Sequence, residues 1–142
     1  MFKQSILSKI YSWLYSPEVF GSVAKKIPGS WQLFEYYRDT EGELVHILES
    51  DLSQSNEALL IDFLPQNEFC LTAKMPVPIF PPERKGVWSV NRNFITLVDA
   101  KDFRNNIEFQ FAFEKGNFKL LKKDRFGKIE FFGFFKPQKS KS

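Results

Sequence analysis

Between residues 30 and 135 the chain is a succession of nine short runs, each rich in apolar residues and each closed off by Asn, Gly, Pro or Asp. They read SWQLFEYYR, ELVHILE, ALLIDFL, EFCLTA, GVWSV, NFITLVD, IEFQFAF, FKLLKK and KIEFFGFF. Apolar residues that alternate with polar ones suit a strand with one buried face, because successive side chains of a strand point to opposite sides. The first linker, DTEG, contains Glu41-Gly42, which suits a two-residue hairpin turn with positive φ. No helical period separates the runs, so consecutive strands pair antiparallel with their neighbours. A sheet of this length left open would present two unpaired edges, and closure removes them. The expected fold is therefore mainly β: a closed up-and-down antiparallel barrel of about 8–9 strands, with one or two N-terminal helices.

The helices are read from the only segment with a different period. Phe2, Ile6, Ile10, Trp13 and Leu14 recur at helical spacing, with Lys3, Gln4, Ser8, Lys9 and Ser12 between them. Ser16-Pro17-Glu18 is a helix-start signal, and a second short helix then carries Val19, Phe20, Val23 and Ala24 toward Pro28. The organisation that follows is a helical segment over 1–27, a barrel over 28–136 and a disordered basic tail over 137–142, too poor in apolar surface to order itself. A chain of 142 residues suits one such domain, since single cores use roughly 100–150 residues. Seventeen phenylalanines, four tyrosines and three tryptophans supply the apolar area to fill it.

Charge and reactive residues narrow the function. Three of the 20 basic residues, Lys136, Lys139 and Lys141, lie at the C-terminal end, which leaves 17 against 17 acidic residues in the body. Lys115, Lys119, Lys122, Lys123, Arg125 and Lys128 cluster around one hairpin near several phenylalanines, a pattern that binds single-stranded nucleic acid when the charge is uncompensated. The neutral body favours instead a solvated face guarding an apolar hairpin, so nucleic acid is not the expected partner. One cysteine, Cys70, permits no internal disulfide, and one histidine, His46, permits no multi-histidine zinc site. No Ser-His-Asp spacing, phosphate loop or paired-carboxylate motif is present. The expectation is a non-catalytic protein without metal or cofactor. Lys9 interrupts the apolar N-terminal stretch and no cleavage site follows it, so the expected compartment is the cytoplasm.

Two short motifs give the barrel a family likeness. Gly29-Ser30-Trp31, at the head of the first strand, resembles the lipocalin signature, and Gly86-Val87-Trp88 ahead of FITLVD is similar to the mid-barrel pattern of small bacterial lipocalin-like domains of the calycin superfamily. The resemblance spans residues 28–136. It implies a barrel whose tryptophan plugs one end while the glycine lets the backbone turn in beneath it, and whose interior holds a small apolar molecule. Fatty-acid-binding proteins share the motif but insert a two-helix lid after the first strand, for which DTEG leaves no room.

Strand phase names the lining. Unbroken alternation puts Trp31, Leu33, Glu35 and Tyr37 on one face, and the turn at Glu41-Gly42 brings Leu44, His46 and Leu48 to it. Trp88 joins Ile95 and Leu97, and the turn at Lys115-Gly116 aligns Phe109, Phe111 and Phe113 with Phe118 and Leu120. The candidate ligand-binding residues are therefore Trp31, Leu33, Glu35, Tyr37, His46, Trp88, Phe109, Phe111 and Phe113. Within that set Glu35, Tyr37 and His46 form the one polar cluster able to orient a head group. The rival reading is a barrel whose aromatic side chains fill it, acting as a structural or interaction module. The stretch MPVPIFPPERK, with four prolines, is read as a stiff bridge across a barrel mouth. Apolar residues on both faces of the closing strands leave an exterior patch that calls for a cover. The expected cover is the segment 1–27 lying over strands nine, one and two, with a membrane surface or a second copy as the two rivals.

Overall fold

The computed structural model describes residues 24–138. Nine strands are found, one for each apolar run: β1 (Gly29–Thr40), β2 (Glu43–Ile47), β3 (Ala58–Leu64), β4 (Glu68–Lys74), β5 (Glu83–Asn91), β6 (Phe94–Asp99), β7 (Asn106–Glu114), β8 (Asn117–Lys123) and β9 (Ile129–Pro137). Each pairs antiparallel with its neighbour, and β9 returns to pair with β1 from Trp31↔Pro137 to Arg38↔Phe131. Eight strands close the barrel, and β2 is an extra strand. The two Gly-closed hairpins behave as their sequences demand, with left-handed backbone at both Glu41-Gly42 and Lys115-Gly116. Among the described residues no helix is long and apolar enough to cross a membrane.

The position of β2 follows from how β1 is shared. One edge of β1 is held by β9; along the other edge Gly29–Gln32 pairs with β3, and Tyr36–Thr40 pairs with β2. Between those two partners the register against β9 slips by one residue, from Leu33↔Phe135 to Glu35↔Phe134, so Phe34 is bulged. A helix absent from the sequence reading, α1 (Glu49–Ser55), follows β2 and packs against β1 with Leu52 buried in the core. Its first turn carries Glu49 and Asp51, Asp51 accepts the Leu48 N–H at 2.9 Å, and Asn56 ends it in left-handed conformation. That helix covers the gap where β1 parts from β3.

The two glycines serve their motifs differently: Gly29 takes a positive φ of 136° with open space around it, whereas Gly86 lies against the backbone of the next strand. Trp31 is buried, donates its indole N–H to the Ile27 carbonyl at 2.8 Å and packs on Phe118 and Phe113 at 5.2 and 5.7 Å, near the end of the barrel where β1 begins, here its lower end. At Gly86 a Cβ would collide with the Val98 carbonyl oxygen, so only glycine lets β5 approach β6 there. The segment expected to be helical over 1–27 lies outside the described residues except for Ala24 to Ile27, and the C-terminal tail lies outside them from residue 139. Pro137 ends β9 and the Gln138 N–H bonds to the Ser30 carbonyl, so the first two residues of the expected tail are tied to the barrel.

Candidate functional site in the barrel interior and at its mouth

The interior is aromatic from end to end. Trp31 and Leu33 on β1, Trp88 on β5 and Phe109, Phe111 and Phe113 on β7 all point inward and are buried in one core cluster, as the alternation requires. Phe113 stacks on Phe118 at 4.8 Å, Phe111 lies 6.3 and 6.1 Å from those two rings, and Phe63 lies edge-on to Trp88 at 5.5 Å. On β9, Gly133 leaves room for Leu33 and for the ring of Phe131, which a Cβ there would strike. The lower half is thus filled by side chains of the wall itself.

The upper half is filled differently. The loop between β4 and β5 turns back on itself through a Phe80 N–H to Val77 carbonyl bond of 3.0 Å and delivers Val77 and Phe80 into the core. Phe80 lies edge-on to Phe131 at 4.8 Å and parallel to Phe109 at 6.1 Å. Among the described residues it is the one buried aromatic that a loop supplies; the others stand on strands. The proline-rich bridge therefore crosses the mouth and also enters it. A crevice of about 130 Å³ remains beside it, lined by Arg38, Asp39, Glu130 and the loop residues Pro76–Ile79.

Polar groups converge at this mouth. Past the bulge, Tyr36 points inward with its ring 5.5 Å from Phe131, and its hydroxyl donates to Glu57 Oε1 at 2.6 Å while accepting from Arg38 Nη1 at 2.9 Å. Arg38 also pairs with Glu57 at 3.6 Å. Burial first, and then the Glu57 carboxylate it serves, push the Tyr36 phenol well above its ordinary range, with Arg38 pulling the other way. Tyr36 is therefore a neutral donor held in place by two charges. Deeper in the barrel the indole N–H of Trp88 is buried without an acceptor.

The bulge corrects one part of the sequence reading. Glu35, Tyr37 and His46 do come together: His46 Nε2 is 2.7 Å from Glu35 Oε2, and its ring stacks on Tyr37 at 4.2 Å. They do so on the outside of the barrel. Tyr37 stands opposite His46 and Phe132 and belongs, with Leu44 and Phe134, to a cluster separate from the interior, while Leu48 is exposed. With Phe34 bulged, alternation restarts one residue later and Tyr36 and Arg38 take the inward places. Periodicity missed Tyr36, Arg38, Glu57, Val77 and Phe80. The apolar residues among the prolines were the one legible signal of the last two; the bulge has no signature in the sequence.

The other candidate groups lie apart from this site. Cys70 on β4 is a half-buried free thiol between the inward Phe69 and Leu71. Of the basic cluster, Lys119 pairs with Glu114, Lys122 with Glu130 and Lys128 with Asp39. The described residues contain no group of three His, Cys, Asp or Glu side chains placed to hold a metal ion.

Taken together, the fold and the site define a class: an eight-stranded antiparallel barrel with an aromatic interior, compatible with a lipocalin-like fold. No protein-family model and no curated protein matches the chain.

Proposed function

We propose that the protein is a non-catalytic carrier or sensor that holds a small apolar molecule in the upper half of its barrel, in the place that Phe80 occupies. The observation that carries this reading is the source of the filling. Where strand residues fill a barrel, emptying it means unfolding the wall; Phe80 and Val77 come from a loop, and withdrawing the loop leaves Phe109 and Phe131 as an apolar seat with the walls intact. Pockets of this type combine an apolar lining with a few placed polar groups. Arg38 at the mouth, held by Tyr36 and Glu57, supplies a cation for a polar end, and the indole N–H of Trp88 is an unused donor within. The lone free thiol suits a reducing compartment, which supports the cytoplasm. The paired lysines of the β7–β9 hairpins support an uncharged ligand body over a nucleic-acid strand.

The test is a fluorescence titration of the full chain with fatty acids, retinoids and a polarity-sensitive dye, run in parallel on Phe80→Ala. Binding that quenches the buried tryptophans, and that strengthens in Phe80→Ala because the seat is already vacant, is the expected result. If neither protein binds any apolar compound, the second reading takes over: a barrel with a self-filled core that works as a structural or protein-interaction module. That reading draws on the ring-to-ring packing of Phe109, Phe111 and Phe113 with Phe118 and Phe131.

A further inference from the structure

Among the described residues phenylalanine is buried or half-buried with two exceptions, Phe103 and Phe126, which are 78% and 82% exposed. One apolar side chain on a surface calls for no explanation, but these two share an end of the barrel. Phe103 stands in the loop between β6 and β7, and Phe126 in the loop between β8 and β9. Strand β9 begins at the upper end, where Arg38 of β1 faces Phe131, and β8 ends beside it at Lys123. Strand β7 runs against β8, so its first residue, Asn106, lies at that end too. The loops are two strand spacings apart along the rim, about 10 Å. Each is folded around an aspartate. Asp124 Oδ1 accepts the N–H groups of Phe126 and Lys128 at 2.8 and 2.9 Å, and its carbonyl accepts that of Gly127 at 3.0 Å. Asp102 Oδ1 accepts the Arg104 N–H at 3.1 Å, and its carbonyl accepts that of Asn105 at 2.8 Å. These bonds order the backbone and leave each ring on the outside.

The same loops are basic. Residues 100–105 and 123–128 hold Lys101, Arg104, Lys123, Arg125 and Lys128 against Asp102 and Asp124, whose carboxylates are turned onto the loop backbones. Arg104 pairs with Asp102 and Lys128 with Asp39, both at the surface, where such pairs hold weakly. The Arg125 guanidinium lies 5.2 Å over the Phe126 ring. We propose that these two loops dock the upper end of the barrel on an anionic lipid surface, with both rings in the headgroup–acyl boundary and the five cations at the phosphates. An interface of that kind takes separate apolar probes surrounded by positive charge. A protein partner would instead bury a continuous patch, and a single strand stacks successive bases on neighbouring rings. Glu41 and Glu43 lie on the β1–β2 turn, outside these loops, so the basic side of the rim is the one that meets the lipid. The docked end is also where the crevice lined by Arg38, Asp39 and Glu130 opens beside the strap. Passage of a ligand between bilayer and barrel there rests on the carrier reading; the docking itself does not.

Co-sedimentation of the full chain with vesicles tests the docking without any apolar ligand, so its outcome is separate from that of the ligand titration. The expected result is binding to vesicles of phosphatidylglycerol and phosphatidylcholine in equal parts, weaker on phosphatidylcholine alone and falling as salt is raised. Phe103→Ser and Phe126→Ser should each lower the partition coefficient about tenfold, and the double variant about a hundredfold. Both side chains are exposed, so an unchanged thermal midpoint should show that the barrel is intact. Leu64→Ser, at an exposed site where β3 ends at the lower end, should bind as the parent does. Absence of binding to either vesicle overturns the proposal. So does binding that the double variant retains in full, or that Leu64→Ser weakens as much. Self-association or oligothymidylate binding that the phenylalanine variants lose, with vesicles left unbound, assigns the rings to a second copy or to a nucleic-acid strand and overturns it likewise.

Discussion

At the scale of single residues, the interior is held by rings whose polar atoms are nearly all spoken for. Trp31 combines a large apolar burial with a hydrogen bond to Ile27, so Trp31→Ala removes the plug and leaves the Ile27 carbonyl without its donor. We expect a loss of about 3–5 kcal/mol, read as a shift of the denaturant midpoint at constant slope; a midpoint close to that of the parent protein means the ring is not a plug. Tyr36 allows a test with a defined sign. Its pKa is raised in the fold, so the stability it contributes is complete below its ordinary value of 10.0 and is lost as pH climbs from there toward its folded-state value. Tyr36→Phe keeps the ring against Phe131 but deletes the hydroxyl between Arg38 and Glu57. It should cost about 1.5–3 kcal/mol at neutral pH, as for other hydrogen bonds to charged groups. The difference between parent and variant should shrink above pH 10; a gap that stays constant to the alkaline limit contradicts the burial of a neutral phenol.

Elements show which parts of the molecule could be read in advance. All nine strands were legible because a buried face and a turn residue leave a mark within a few positions, as Glu41-Gly42 and Lys115-Gly116 do. Each of those turns spends a non-glycine residue in left-handed backbone, with φ of 50° at Glu41 and 53° at Lys115. Asparagine tolerates that region better, so Glu41→Asn and Lys115→Asn should each raise stability by about 0.5–1 kcal/mol, measured as additive shifts in thermal midpoint; a loss at either site means the side chain there has a role that the turn does not explain. The element α1 was not legible, for a physical reason: ESDLSQS has a single apolar residue, Leu52, and a helix of seven residues shows no period. The bulge at Phe34 was hidden more deeply. It arises because β1 must serve β3 and β2 along one edge while holding β9 along the other, a demand of closure that no local pattern records. One hidden residue sufficed to turn Glu35, Tyr37 and His46 from lining into surface, and the sole histidine with them.

For the whole molecule, closure determines where the barrel can open. Strands β3 to β9 are each paired on both sides, and the β1–β9 seam runs over eight residues of β1, so no barrel strand separates without breaking two ladders. The upper end is built otherwise. Strand β2 pairs with β1 alone, α1 holds on through Leu52, and the strap that carries Val77 and Phe80 is tied by the Ala73 N–H to Pro82 carbonyl bond at its base. Local opening draws on segments with few buried contacts and exposed backbone hydrogen bonds, so β2, α1 and the strap should form the low-stability unit and the seam the high-stability one. Native-state hydrogen exchange separates them. Amides of β9 and of the lower half of β1 should exchange only through global unfolding, with the denaturant dependence of the whole protein. Those of Val45 to Leu52 and of Phe80 should exchange sooner and with little denaturant dependence. Such a pattern places the door of the barrel beside Tyr36, Arg38 and Phe80, where a ligand would enter. Equal protection of β2 and β9 would mean that the molecule opens only by unfolding, and the interior would then be closed to exchange with any ligand during the life of the fold.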